Sequence, residues 1–174
     1  MPTLELKTRF HTSAVHLVAS DRGASAGPQS LTQAVQAAVV NLDTSMLRPV
    51  ARNISSLAFQ PRFVLGLLTY CYARQIYGSA DIAGLLARDT AFCKTCQSEF
   101  PDPRLIRQFR NDNCQAIRTC LTAALCFLAR QKVDGGIVTK VNEAALAEEA
   151  SRRLTMAMWI DSTETEPSPE PLSA

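Results

Sequence analysis

"PDPRLIRQFRNDNCQAIRTCLTAALCFLARQK", residues 101–132, is the stretch whose reading decides the fold. Two prolines bracket Asp102, and neither glycine nor proline recurs until Gly135. Asp102 can accept a hydrogen bond from the early backbone N–H groups of a helix, and Pro103 falls at the first helical position, where its missing N–H leaves nothing unsatisfied. At about 100° per residue, Ile106, Phe109, Ile117, Cys120, Ala124 and Phe127 gather on one face. Arg104, Arg107 and Arg118 occupy the adjoining face, with Arg110 at the boundary. The pattern predicts one long amphipathic helix from Asp102 to near Lys132, closed by "VDGG".

The flanks repeat the helical pattern. "PRFVLGLLTYCYARQIY", residues 61–77, is apolar almost all round and opens with proline, which predicts a central helix stopped by Gly78. Ser79 is expected to cap a short helix, "SADIAGLLARD", with Asp81 in its first turn and Arg88 in its last, both favourable to the helix dipole. Upstream, "SLTQAVQAAVVNL" places Leu31, Ala34, Val35, Ala38, Val39 and Leu42 on one face behind Ser30 as N-cap. Downstream, "VNEAALAEEASRRLTMAMWI", residues 141–160, reads as a further helix. The Gly/Ser/Pro-rich "SDRGASAGPQS" marks residues 1–28 as a flexible lead-in. "DSTETEPSPEPLSA", residues 161–174, reads as a disordered acidic tail because it has too little apolar surface to offset its ordering entropy. The expected fold is therefore all-α, a compact multi-helix domain over residues 29–160.

Composition bounds the function. The chain has 174 residues, room for one domain with a core, and 47% of them are hydrophobic against 20% charged. The net charge of +2 averages unlike segments. From Arg48 to Lys132 there are twelve Lys or Arg against five Asp or Glu, whereas the last fourteen residues carry four acids and no base. A basic body beside an acidic tail admits a polyanionic partner. No apolar run reaches the roughly 18 to 20 residues needed to span a bilayer, so no membrane role is expected. The N-terminus lacks the pattern of a secretory signal, which points to the cytoplasm and to six cysteines kept as thiols.

Order and spacing then carry a resemblance. An apolar helix after a Pro-x-x-hydrophobic start, "YGSADI" leading into "LARDTAF", and "FPDPRLIRQFR" at the expected distance resemble the N-terminal domain of InsH-like insertion-sequence transposases of the DDE type. The likeness covers about residues 55–130, with Pro101, Asp102, Phe109 and Arg110 matching the family's Pro-Asp step and Phe-Arg pair. It implies a helical module with a helix-turn-helix-like arrangement that engages DNA, commonly transposon ends, ahead of a separate carboxylate-bearing catalytic domain. The alternating strands and helices of that second domain do not follow Lys132, and the family's Tyr-x2-Arg-x3-Glu-x6-Lys signature is not met, since no tyrosine follows Tyr77. The resemblance therefore implies DNA binding without catalysis and without a cofactor.

Weighed residue by residue, Arg104, Arg107 and Arg110 are the candidate phosphate contacts, with Gln108 and Asn111 available for base edges. Against this stands a solvated basic face in which Arg110 pairs internally with Asp89 or Asp112. Asp161 in "MWIDSTET" resembles the entry to a first catalytic carboxylate, but a single carboxylate cannot hold two metals, and the reading as a helix end running into an acidic tail is preferred. Cys93 and Cys96 in "CKTC" have zinc-ligand spacing, yet Cys114 and Cys120 are six apart on a helix and do not converge on them. Cys71, Cys120 and Cys126 read as small core residues. His11 and His16 sit in the lead-in and support no nucleophile–base arrangement. Besides DNA binding, two alternatives stay open. One is an interaction module that self-associates or docks on a full-length transposase through the C-terminal helix bearing Met156 and Trp159. The other is a remnant of such a protein with no selected activity.

Overall fold

The computed structural model describes residues 30–43, 45, 47–49, 60–88, 101–137 and 140–164. The expected lead-in, the "CKTC" pair and the residues beyond Glu164 lie outside these. Among the described residues the chain is all helical, with no strand: α1 (Leu31–Asn41), α2 (Pro61–Ala73), α3 (Ser79–Arg88), α4 (Pro103–Asp112), α5 (Cys114–Asp134) and α6 (Glu143–Glu164). The middle of the molecule is α5, against which α1, α2 and α6 pack, while α3 and α4 pair chiefly with each other. No helix among the described residues is long and apolar enough to cross a membrane.

Local signals set most helix starts. Ser30 accepts a hydrogen bond from the Gln33 N–H at 3.2 Å, and Asp102 accepts one from the Leu105 N–H at 2.8 Å. Pro61 and Pro103 stand in the first turns of α2 and α4. Every residue of α2 from Phe63 to Ala73 is buried, as its all-round apolarity requires. Each large side chain so buried contributes roughly 1.5–3 kcal/mol before entropy is counted.

The end of α2 differs from the expectation. Gly78 does not stop it; the helix closes at Ala73 through Gln75, whose φ of 64° is left-handed. The Ile76 N–H reaches the Cys71 carbonyl at 2.9 Å and the Gln75 N–H reaches the Tyr72 carbonyl at 3.1 Å, the paired bonds of a Schellman closure. Gly136, with φ of 72°, closes α5 in the same way.

The predicted long helix over 102–132 is two helices. Asn113, with φ of −126° and ψ of 27°, interrupts it, ending α4 and starting α5. Its buried side chain accepts from the Arg48 N–H at 2.8 Å and donates to the Arg48 carbonyl at 3.2 Å and the Phe109 carbonyl at 2.9 Å. A short amide that can bond backbone on both sides competes with helix continuation, and here it also fastens the Arg48 segment onto the break.

The last helix runs past its expected end. Asp161, assigned from sequence to the acidic tail, lies within α6, so the helical body extends beyond residue 160. Ala150, Leu154, Ala157 and Asp161, all buried, form one stripe that seats α6 on the core. Arg153 donates from one nitrogen to the Tyr72 and Ala73 carbonyls, both at 2.9 Å, placing a positive charge at the buried C-terminal end of α2, where the dipole is negative. It is steadied by Glu149, which accepts from its Nε at 2.6 Å.

Candidate functional site

Helix α4 presents two unlike faces. Ile106, Phe109 and Arg110 are buried. Arg104, Gln108 and Asn111, spaced four and three residues apart, are exposed in one strip, with Arg107 half-buried beside them. Among the described residues neither Arg104 nor Arg107 forms an ion pair; Asp102 is engaged as the N-cap, and Asp112, the acid within α4, is exposed at the far end of the strip. Arg118, on the first turns of α5, is exposed and donates to Gln115. Helices α3 and α4 pack on each other. Their connection, residues 89–102, is longer than the three or four residues of a tight turn.

Arg110 is not part of the exposed strip. It is 1% exposed, and its guanidinium pairs with Asp161, itself 2% exposed. The expectation that Arg110 contacts DNA is thereby corrected, and its internal partner is an aspartate from α6 and not Asp112; Asp89 lies outside the described residues. The pairing is part of a small network. Asp161 Oδ1 accepts from the Ser79 N–H at 2.8 Å, and Oδ2 accepts from the Ser79 hydroxyl at 2.5 Å as well as from Arg110 Nη2. Arg110 Nη1 donates to the Tyr72 hydroxyl at 3.2 Å, while its buried Nε has no hydrogen-bond partner among the described residues.

Ser79 therefore does not cap α3 with its own side chain. It is the first helical residue, Gly78 supplies the carbonyl that accepts from the Ile82 N–H, and the cap is Asp161, from 82 residues away. A carboxylate at a helix N-terminus meets free N–H groups and the positive end of the dipole. Burial pushes the Asp161 carboxyl up, but the hydrogen bonds from the Ser79 hydroxyl and N–H and from Arg110 outweigh it and hold it below the usual aspartate value. Burial likewise raises Tyr72, so its hydroxyl stays protonated beside the guanidinium.

No metal centre is formed among the described residues, where no three of His, Cys, Asp and Glu converge. Cys71 and Cys120 are buried, with thiols pushed up by desolvation to about 12 and about 11, so both are poor nucleophiles and core residues, as their apolar contexts imply. An open cleft of about 440 Å³ runs along Gln75, Tyr77, Glu149, Arg152, Arg153 and Met156. Its two arginines are already engaged by Glu149, which leaves it little free chemistry. Met156 and Trp159, one turn apart on α6, are 42% and 61% exposed.

Asp161, Ser79 and Tyr72 are the residues that sequence reasoning did not connect to Arg110. A signal existed: an arginine on the buried side of an amphipathic helix requires a buried counter-charge. No family model, characterised protein or solved structure matches this chain.

Proposed function

We propose that this chain is a DNA-binding protein of the transposase type that engages duplex DNA through the exposed strip of α4 and performs no catalysis itself. The observation that carries the reading is the division of labour on one helix. Ile106, Phe109 and Arg110 seat α4, while Arg104, Gln108 and Asn111, flanked by Arg107, are presented to solvent, and neither Arg104 nor Arg107 is held in an ion pair among the described residues; Asp112 is the one exposed acid at the end of the strip. Arginines of this kind contact phosphates and fix register, and the two amides suit base edges in a groove wide enough for a helix. The resemblance of residues 55–130 to the transposase N-terminal domain supports the same partner, with transposon ends as the natural target. Asp161, committed to Arg110 and Ser79, is no free carboxylate for a metal, which speaks against a catalytic role for it.

The test is fluorescence anisotropy of a short mixed-sequence DNA duplex titrated with the protein at low salt. The reading expects binding that weakens by at least about tenfold, some 1.4 kcal/mol, when Arg104 and Arg107 both become alanine. Absence of binding at low salt overturns the function, and full affinity in the double variant overturns the site.

Met156 and Trp159 favour a second reading, a surface for self-association or for docking on a full-length transposase. Sedimentation of Trp159→Ala beside the parent protein separates the two. A salt-insensitive dimer lost in the variant, without DNA affinity in either, makes this the better account.

A further inference from the structure

We infer that Asp161 is a positioning residue for α4, setting from α6 the angle at which the Arg104–Gln108–Asn111 strip is presented. What that strip binds rests on the reading above; the mechanical coupling does not. Three observations carry it.

First, one buried carboxylate ties three helices together. Asp161 belongs to α6, caps the first residue of α3 and pairs with Arg110 of α4. Helices α3 and α4 pair chiefly with each other, and among the described residues this network and the Arg110–Tyr72 hydrogen bond tie them to α2 and α6. Second, α4 has a joint at its far end. Asn113 breaks the helix, so α4 and α5 are separate helices whose relative angle is set by the hydrogen bonds of one side chain. The apolar anchors Ile106 and Phe109 hold α4 in place, but apolar contact is non-directional, whereas a guanidinium held by a carboxylate and a phenol fixes orientation. Third, Arg110 sits between Arg107 and Asn111 on the same rigid turn. Any rotation that lengthens the Arg110–Asp161 pair therefore carries the exposed strip with it. Asp161 lies in the last turn of α6, where helices open most readily, so loosening that turn releases the orientation of α4 while its apolar anchors stay seated.

Hydrogen exchange on the full chain, read peptide by peptide by mass spectrometry, tests this in two variants. Asp161→Asn removes the charge. Arg110→Met with Asp161→Leu removes the pair while filling its space, which keeps the fold available even where the single substitution unfolds it. The expected result in a folded variant is exchange of α4 and of the first turn of α3 faster by about tenfold, with α2 and α5 unchanged. Affinity for the duplex is expected to fall by about tenfold although Arg104 and Arg107 are intact. Unchanged exchange in α4 of the double variant overturns the inference, as does a uniform loss of protection across all helices, which a merely stabilising pair would give. If the parent protein binds no DNA while α4 alone loosens, the DNA reading fails and the positioning role of Asp161 stands.

Discussion

Arg110 and Asp161 illustrate how a buried pair is worth little as a pair and much against its own halves. Two desolvated charges roughly cancel the attraction between them, so replacing both with apolar residues of like volume is commonly neutral. Removing one leaves the other stranded. Asp161→Ala is therefore expected to lower unfolding free energy by about 3–5 kcal/mol, against a change within about 1 kcal/mol for the Arg110→Met, Asp161→Leu double variant, both measured by urea titration. The pH dependence follows from the depressed Asp161 carboxyl. Its contribution is complete above the unfolded aspartate value of about 3.9 and is lost as pH falls through the lower folded value. Urea midpoints at pH 7 and near pH 3 are expected to fall further in the parent protein than in the double variant. Gln75 gives a prediction of opposite sign. Its left-handed φ of 64° strains a side chain that glycine lacks, so Gln75→Gly is expected to stabilise by roughly 0.5–1 kcal/mol in thermal unfolding.

Among the helices, the starts were legible in the sequence and the breaks were not. Ser30, Asp102, Pro61 and Pro103 act on backbone within three residues of themselves, so their meaning is local. Asn113 breaks the 102–132 helix by pairing with the backbone of Arg48, 65 residues away, and no periodicity reports that partner. Ser79 fails as a cap for the same reason: its capping group arrives from α6. Asp161 itself could have been placed, because it continues the Ala150, Leu154, Ala157 stripe at helical spacing; the acidic composition after it masked that register. Helix α6 is thus part of the core and not an appendage. Arg153 closing the end of α2 makes the point testable: Arg153→Ala is expected to cost about 1–2 kcal/mol and to speed amide exchange at the C-terminal turn of α2.

For the whole molecule, the all-α class was readable from periodicity, since the apolar stripes on residues 31–42 and 102–132 each demanded a partner. Helix α2, apolar all round, takes the interior. The candidate strip was readable in part. Arg104, Gln108 and Asn111 are exposed as their angles on α4 require, whereas Arg110 at the boundary turned inward because a distant carboxylate was there to receive it. The central claim is that the strip neutralises DNA phosphates, and counterion release gives it a direct measure. We would record DNA affinity against salt concentration for the parent protein and for Arg104→Ala with Arg107→Ala. Each lost phosphate contact should flatten the log–log slope by about 0.9, so the double variant is predicted to be shallower by roughly 1.8. Parallel slopes in the two proteins would contradict the account.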